Sequence, residues 1–122
     1  MNNPVGWFEI YVEDMARAKA FYEAVFGVQL VRLDSPDMEI WAFPMLGERY
    51  GAAGALVRMP GVAVGANSVV VYFRCDDCTV QVARAANAGG QIRKEKMSIG
   101  EYGHIALIAD SEGNLIGLHS LR

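Results

Sequence analysis

The sequence predicts an α+β fold made of two consecutive βαβββ units that share one core and enclose a cleft, and three observations carry that prediction. First, Trp7-Phe8-Glu9-Ile10-Tyr11-Val12-Glu13-Asp14 reads as a strand running into a helix cap, and Val70-Val71-Tyr72-Phe73-Arg74-Cys75-Asp76-Asp77 reads the same way. Second, the 63-residue offset from Asp14 to Asp77 also carries Gly27, which ends the first helix, onto Gly90, which follows the second. Third, that offset carries Gly54 onto Gly117 in the last strand of each unit. One spacing relates cap, terminator and closing strand, which is how an internal repeat shows itself.

Each element has a local reason. Asp14 can cap a helix over Met15–Phe26, because a carboxylate accepts hydrogen bonds from the first free N–H groups. Ala18, Phe21, Tyr22 and Val25 recur at helical spacing and make one apolar face. Gly27 then supplies the left-handed residue that ends the helix. Strands are expected next at about Val28–Leu33, Glu39–Met45 and Ala52–Arg58, with a turn over Leu46–Gly51. In the second unit Asp77 caps Cys78–Ala88, where Val80, Val82, Ala83, Ala85 and Ala86 are apolar, and Gly89-Gly90 closes the helix. Strands follow at about Gln91–Met97, His104–Ala109 and Leu115–Leu121, the last two joined by the turn Asp110-Ser111-Glu112-Gly113-Asn114. The units span about 4–58 and 68–122. Segment 59–67, with a proline and two glycines, reads as a surface crossover. Each unit alone is too short for a stable core, so a single domain over 1–122 is expected.

Alternation along the first strand of each unit assigns faces. Phe8, Ile10 and Val12, and in the second unit Val71 and Phe73, should meet the helices. Trp7, Glu9 and Tyr11, with Val70, Tyr72 and Arg74, should line the concave side.

Composition narrows the partners. The 122 residues are 52% hydrophobic and 20% charged, with a net charge of −3, which is a globular balance. Lys and Arg are scattered and offer no phosphate-binding stripe, so no nucleic-acid partner is expected. No apolar run approaches the roughly 18 residues of a membrane span. Met1-Asn2-Asn3-Pro4 lacks the pattern of a secretion signal, which makes the cytoplasm the expected location. Cys75 and Cys78 form a C-x-x-C spacing. The intervening Asp76-Asp77 works against a reactive thiolate, and zinc would need two further ligands, so incidental thiols are expected.

Two motifs carry a family resemblance: Asp14-Met15-Ala16-Arg17-Ala18-Lys19-Ala20-Phe21-Tyr22 with Phe26-Gly27, and Asp110-Ser111-Glu112-Gly113-Asn114-Leu115-Ile116-Gly117-Leu118. With the repeat, they make the chain resemble the vicinal oxygen chelate superfamily, which includes glyoxalase I, extradiol dioxygenases and bleomycin resistance proteins. Its nearest likeness is to the glyoxalase-like branch related to lactoylglutathione lyase. The resemblance implies two βαβββ units forming a half-barrel cleft. It also implies that metal-dependent members hold a divalent ion at positions matching Trp7, Gly54, Val70 and Gly117. None of these four can ligate a metal, so no metal and no other cofactor are expected.

The expected function is therefore binding of a small aromatic or planar molecule in a metal-free cleft. The alternative is a lyase, isomerase or dioxygenase of the same superfamily with a displaced or absent metal. Ligand contacts are expected from Trp7, Glu9, Tyr11, Trp41, Gly54, Val70, Tyr72, Gly117 and His119. Glu9, His104 and His119 are the candidate acid–base groups, and Glu9 could instead pair with Arg74. Unsatisfied sheet edges favour a homodimer.

Overall fold

A computed structural model describes residues 7–45, 51–65, 67 and 69–122. The elements run β1 (Trp7–Tyr11), α1 (Met15–Phe26), β2 (Val31–Leu33), β3 (Glu39–Ala42) and β4 (Ala53–Arg58), then β5 (Tyr72–Arg74), α2 (Cys78–Asn87), β6 (Gln91–Ser98), β7 (His104–Ala109) and β8 (Leu115–Ser120). This is βαβββ twice, as the repeat predicts. β2 and β3 are shorter than expected, and an unanticipated 3-10 turn over Gly100–Tyr102 joins β6 to β7. Most of the turn expected at 46–51 lies outside the described residues.

The helix signals act where they were read. The Asp14 side chain accepts the Arg17 N–H at 3.1 Å, and Asp77 accepts the Thr79 N–H at 2.9 Å. Gly27 takes φ +64°, a left-handed conformation that costs a residue with a Cβ more than it costs glycine.

Two four-stranded sheets result, in the orders β1-β4-β3-β2 and β5-β8-β7-β6. Their cores are not separate. Ile10, Phe21, Tyr22, Val25 and Leu56 of the first unit pack in one cluster with Cys78, Val82, Ile108, Ile116 and Leu118 of the second. A chain of aromatic rings crosses the seam: Phe26 stacks on Phe73 at 4.5 Å between centroids, and Phe8 meets Phe73 edge-on at 6.2 Å.

The turn between β7 and β8 stitches the units together. Asp110, buried, accepts the Tyr22 hydroxyl at 2.7 Å and the backbone N–H groups of Glu112 and Asn114, each at 2.8 Å. Asn114 donates to the Tyr11 carbonyl at 2.9 Å and accepts the Gly65 N–H at 3.0 Å. The Glu112 carboxylate reaches the start of α1, where it accepts the Asp14 N–H at 2.9 Å and pairs with Arg17 at 2.5 Å. A residue of one unit thus caps the helix of the other.

The repeat departs from its 63-residue offset in the closing strands. Ile10 pairs with Leu56, and its equivalent Phe73 pairs with Leu118, so β4 and β8 are related by 62 residues. Two hydrogen bonds agree with this: Val12 N–H to the Val57 carbonyl, and Cys75 N–H to the His119 carbonyl. A slip of one residue moves a strand position to the other face. Gly54 and Gly117 therefore lie on opposite faces.

Candidate functional site

The concave face of the first sheet carries Trp7, Glu9 and Tyr11 on β1, as alternation predicts. Glu9 accepts the Trp7 indole N–H at 3.2 Å and the Tyr11 hydroxyl at 2.7 Å. The hydrogen bond to Glu9, then burial, raises the Tyr11 hydroxyl above the usual tyrosine range and keeps it a neutral donor. Further along this face, Ala42, Ala55 and Val57 are fully buried beneath Tyr11, Leu33, Met38 and Ile40. That half of the concavity is filled by its own side chains.

The second sheet leaves its concave face open. Tyr72 is 48% exposed, and its ring covers the backbone of Gly117, where any Cβ would collide with it. Arg74 and His119 pair in register beside it, and neither is without a partner. Val70 lies half-buried just ahead of β5. A cavity of about 160 Å³ between the sheets is lined by Glu9, Tyr11, Val69, Val71 and Asn114. A larger depression of about 470 Å³ at the crossover, lined by Val12, Glu13, Arg58 and Met59, contains none of the nominated residues. The nominated chemistry lies along β1, β5 and β8.

Three expected site residues lie elsewhere. Trp41 pairs with Leu56 and so faces the helices; its ring lies 4.5 Å from the Lys19 ammonium and its N–H bonds Glu39 at 3.0 Å. Gly54 also faces the helices, where a Cβ would collide with the Phe8 ring. His104 pairs with Ser120, whereas His119 pairs with Ile105, so the two histidines occupy opposite faces and cannot serve one site. The buried Nδ1 of His104 has no hydrogen-bond partner among the described residues.

The donor set does not fit the metal site that the fold family implies. On the concave face β1 carries Glu9 and β8 carries His119, and the concave positions of β4 are Ala53, Ala55 and Val57. Among the described residues no three His, Cys, Asp or Glu side chains converge. Cys75 and Cys78 are buried free thiols, and burial, with Cys78 nearby, pushes the Cys75 thiol up to about 12.

Residues missed by sequence reasoning are the hairpin pair Asp110 and Asn114, with Glu112, which hold β1 against β8. Their signal was the turn motif itself, already visible as Asp110-Ser111-Glu112-Gly113-Asn114.

Comparison with known proteins agrees with this architecture. The profile of the Glyoxalase/Bleomycin resistance protein/Dioxygenase superfamily matches residues 5–118. A protein of Mycobacterium tuberculosis carrying the name glyoxylase CFP32 is 34% identical over 117 residues; the match covers 92% of this chain and 42% of that protein. The chain thus spans less than half the length of the curated relatives it matches. Among solved structures, a glyoxalase I variant from Zea mays superposes with a TM-score of 0.75 at 21% identity, covering 97% of this chain and 46% of that one. TnmS3, an antibiotic binding protein from Streptomyces sp. CB03234, superposes with a TM-score of 0.67 at 26% identity, covering 98% and 96%. With the doubled βαβββ architecture and a family match over nearly its whole length, the chain belongs to the Glyoxalase/Bleomycin resistance protein/Dioxygenase superfamily.

Proposed function

We propose that this protein binds a small planar or aromatic molecule in the cleft between its two sheets, without a metal of the family type. The observation that carries the reading is the pairing of aromatic rings with one carboxylate: exposed Trp7 and half-buried Tyr11 around Glu9, and exposed Tyr72 on Gly117. Such a surface is mostly apolar with a few polar anchors, as small-molecule sites are. The likeness to an antibiotic-binding protein at 26% identity supports it. Binding can be followed by Trp7 fluorescence in a Trp41→Phe background across a panel of planar aromatic compounds. Saturable quenching with a matching rise in Tm is expected, about 2.7 kcal/mol of stabilisation at a hundredfold excess over Kd. A panel giving neither signal overturns the reading.

The alternative, a lyase, isomerase or dioxygenase, draws on Glu9 and His119 sharing the concave face. Elemental analysis of the purified protein separates the two. A divalent ion near one per chain, lost in Glu9→Gln, favours the enzyme.

We also propose a homodimer. β2 and β6 are sheet edges, and Val31 on β2 is 59% exposed. Light scattering should give about twice the 13.3 kDa chain mass, and a monomer at micromolar concentration refutes it.

A further inference from the structure

We infer that the cleft selects a planar aromatic cation, with Glu9 reading the charge and the Tyr72–Gly117 pair acting as a stacking shelf that sets the shape. The inference rests on the ligand-binding reading above and narrows it to one ligand class.

The shelf comes from sequence and register together. Tyr72 and Gly117 are partners on parallel strands, and only a residue without a Cβ lets the ring lie down on β8. The ring is thereby held by the backbone beneath it, while 48% of the residue stays open to the cleft. A pre-positioned ring loses little freedom when a planar ligand stacks on it. In the first unit the ring-on-glycine pair is Phe8 on Gly54, which faces the helices, while the concave position Glu9 pairs with Ala55. Among the described residues the shelf on the cleft side therefore belongs to the second unit.

The charge preference comes from the partners of Glu9. The Trp7 indole and the Tyr11 hydroxyl, which donate to it, are neutral, so they orient the carboxylate without cancelling its charge. A carboxylate accepts about four hydrogen bonds in all, which leaves room for a ligand N–H. Aromatic faces beside a carboxylate attract a cation by quadrupole as well as by charge. Trp7 on β1, 40% exposed, and Tyr72 on β5, 48% exposed, supply such faces on the concave sides of the two sheets. The competing cation is Arg74, on the same face. If its guanidinium neutralised Glu9, charged and neutral ligands would bind alike.

Two dyes of similar shape decide the matter: 9-aminoacridine, which is cationic at neutral pH, and acridone, which is neutral. The expected result is saturable binding of both, with 9-aminoacridine about tenfold tighter, which is the factor one charge-assisted contact commonly supplies. Glu9→Gln should erase that advantage, weakening 9-aminoacridine about tenfold and acridone far less. Gly117→Ala should weaken both dyes several-fold, yet do nothing further in a Tyr72→Ala background, because the shelf is already gone. Equal affinity for the two dyes, or an equal loss in Glu9→Gln, overturns the cation class and leaves planar-ligand binding standing. A Gly117→Ala loss that persists undiminished without Tyr72 overturns the shelf. No saturable binding of either dye overturns this inference and the parent reading together.

Discussion

At the scale of single residues, Glu112 does more than its place in a turn suggests. Its side chain is fully buried against the start of α1, where it meets two backbone N–H groups and the Arg17 guanidinium. Burial pushes its carboxyl up, but the hydrogen bonds from Arg17, Asp14 and Ser111 outweigh that and hold it below the usual range. Asp77 is held down to about 2, chiefly by the Lys96 ammonium and then by the Thr79 N–H. Both carboxyls are more acidic folded than unfolded. Their stabilisation is therefore complete above the ordinary carboxylate pKa and is lost as pH falls through the folded values. Denaturation midpoints should be level down to about pH 5 and then drop toward pH 2. In Glu112→Gln the stability at pH 7 should fall by about 1–3 kcal/mol, with a shallower acid slope, as charged hydrogen bonds are replaced by neutral ones. A midpoint unchanged between pH 5 and 2.5 would contradict this. The buried thiols make a second residue-scale prediction. Cys75 and Cys78 should resist a thiol reagent at pH 8 in the native protein and both react at once in denaturant.

At the scale of elements, the two closing-strand glycines separate a packing role from a site role. Gly54 faces the helices under Phe8, so Gly54→Ala should overpack the core, costing about 1–3 kcal/mol. Gly117 faces the cleft under Tyr72, whose half-exposed ring can lift away, so Gly117→Ala should cost less stability and more binding. Gly27→Ala tests the helix end independently, and about 1–2 kcal/mol is expected from its left-handed φ. Urea titration of the three variants, read beside dye affinity, checks the ordering. A Gly117→Ala protein as destabilised as Gly54→Ala would place Tyr72 in the core and not on a shelf.

At the scale of the whole molecule, the common core and the hairpin of the second unit make the halves interdependent. Tyr22 of α1 hydrogen-bonds Asp110, and Asn114 holds the end of β1. Unfolding should be a single transition, with tryptophan fluorescence and far-UV circular dichroism coinciding. A fragment ending at residue 65 should lack a cooperative transition, because Ile10, Phe21 and Leu56 would lose the second unit's half of the cluster. Two resolved transitions in the intact chain would show that each half stands alone.

The sequence by itself determined whatever depends on near neighbours. Caps at Asp14 and Asp77, the stop at Gly27, the apolar stripe of α1 and the in–out alternation of β1 all follow from hydrogen bonds and side-chain directions within a few residues. So did the repeat, because the same local devices recur at one spacing. Only the tertiary structure decided what depends on pairing between distant strands. The unequal connections of the two units slip β8 by one residue relative to β4. That slip turned Gly54 away from the cleft while leaving Gly117 in it. Trp41 lies in the mixed run Glu39-Ile40-Trp41-Ala42, whose pattern leaves its face open until Leu56 is known to be its partner. Glu112 caps a helix 95 to 99 positions away, beyond any local rule. Periodicity sets which residues alternate; the register of the partner strand sets which of the two faces each one meets.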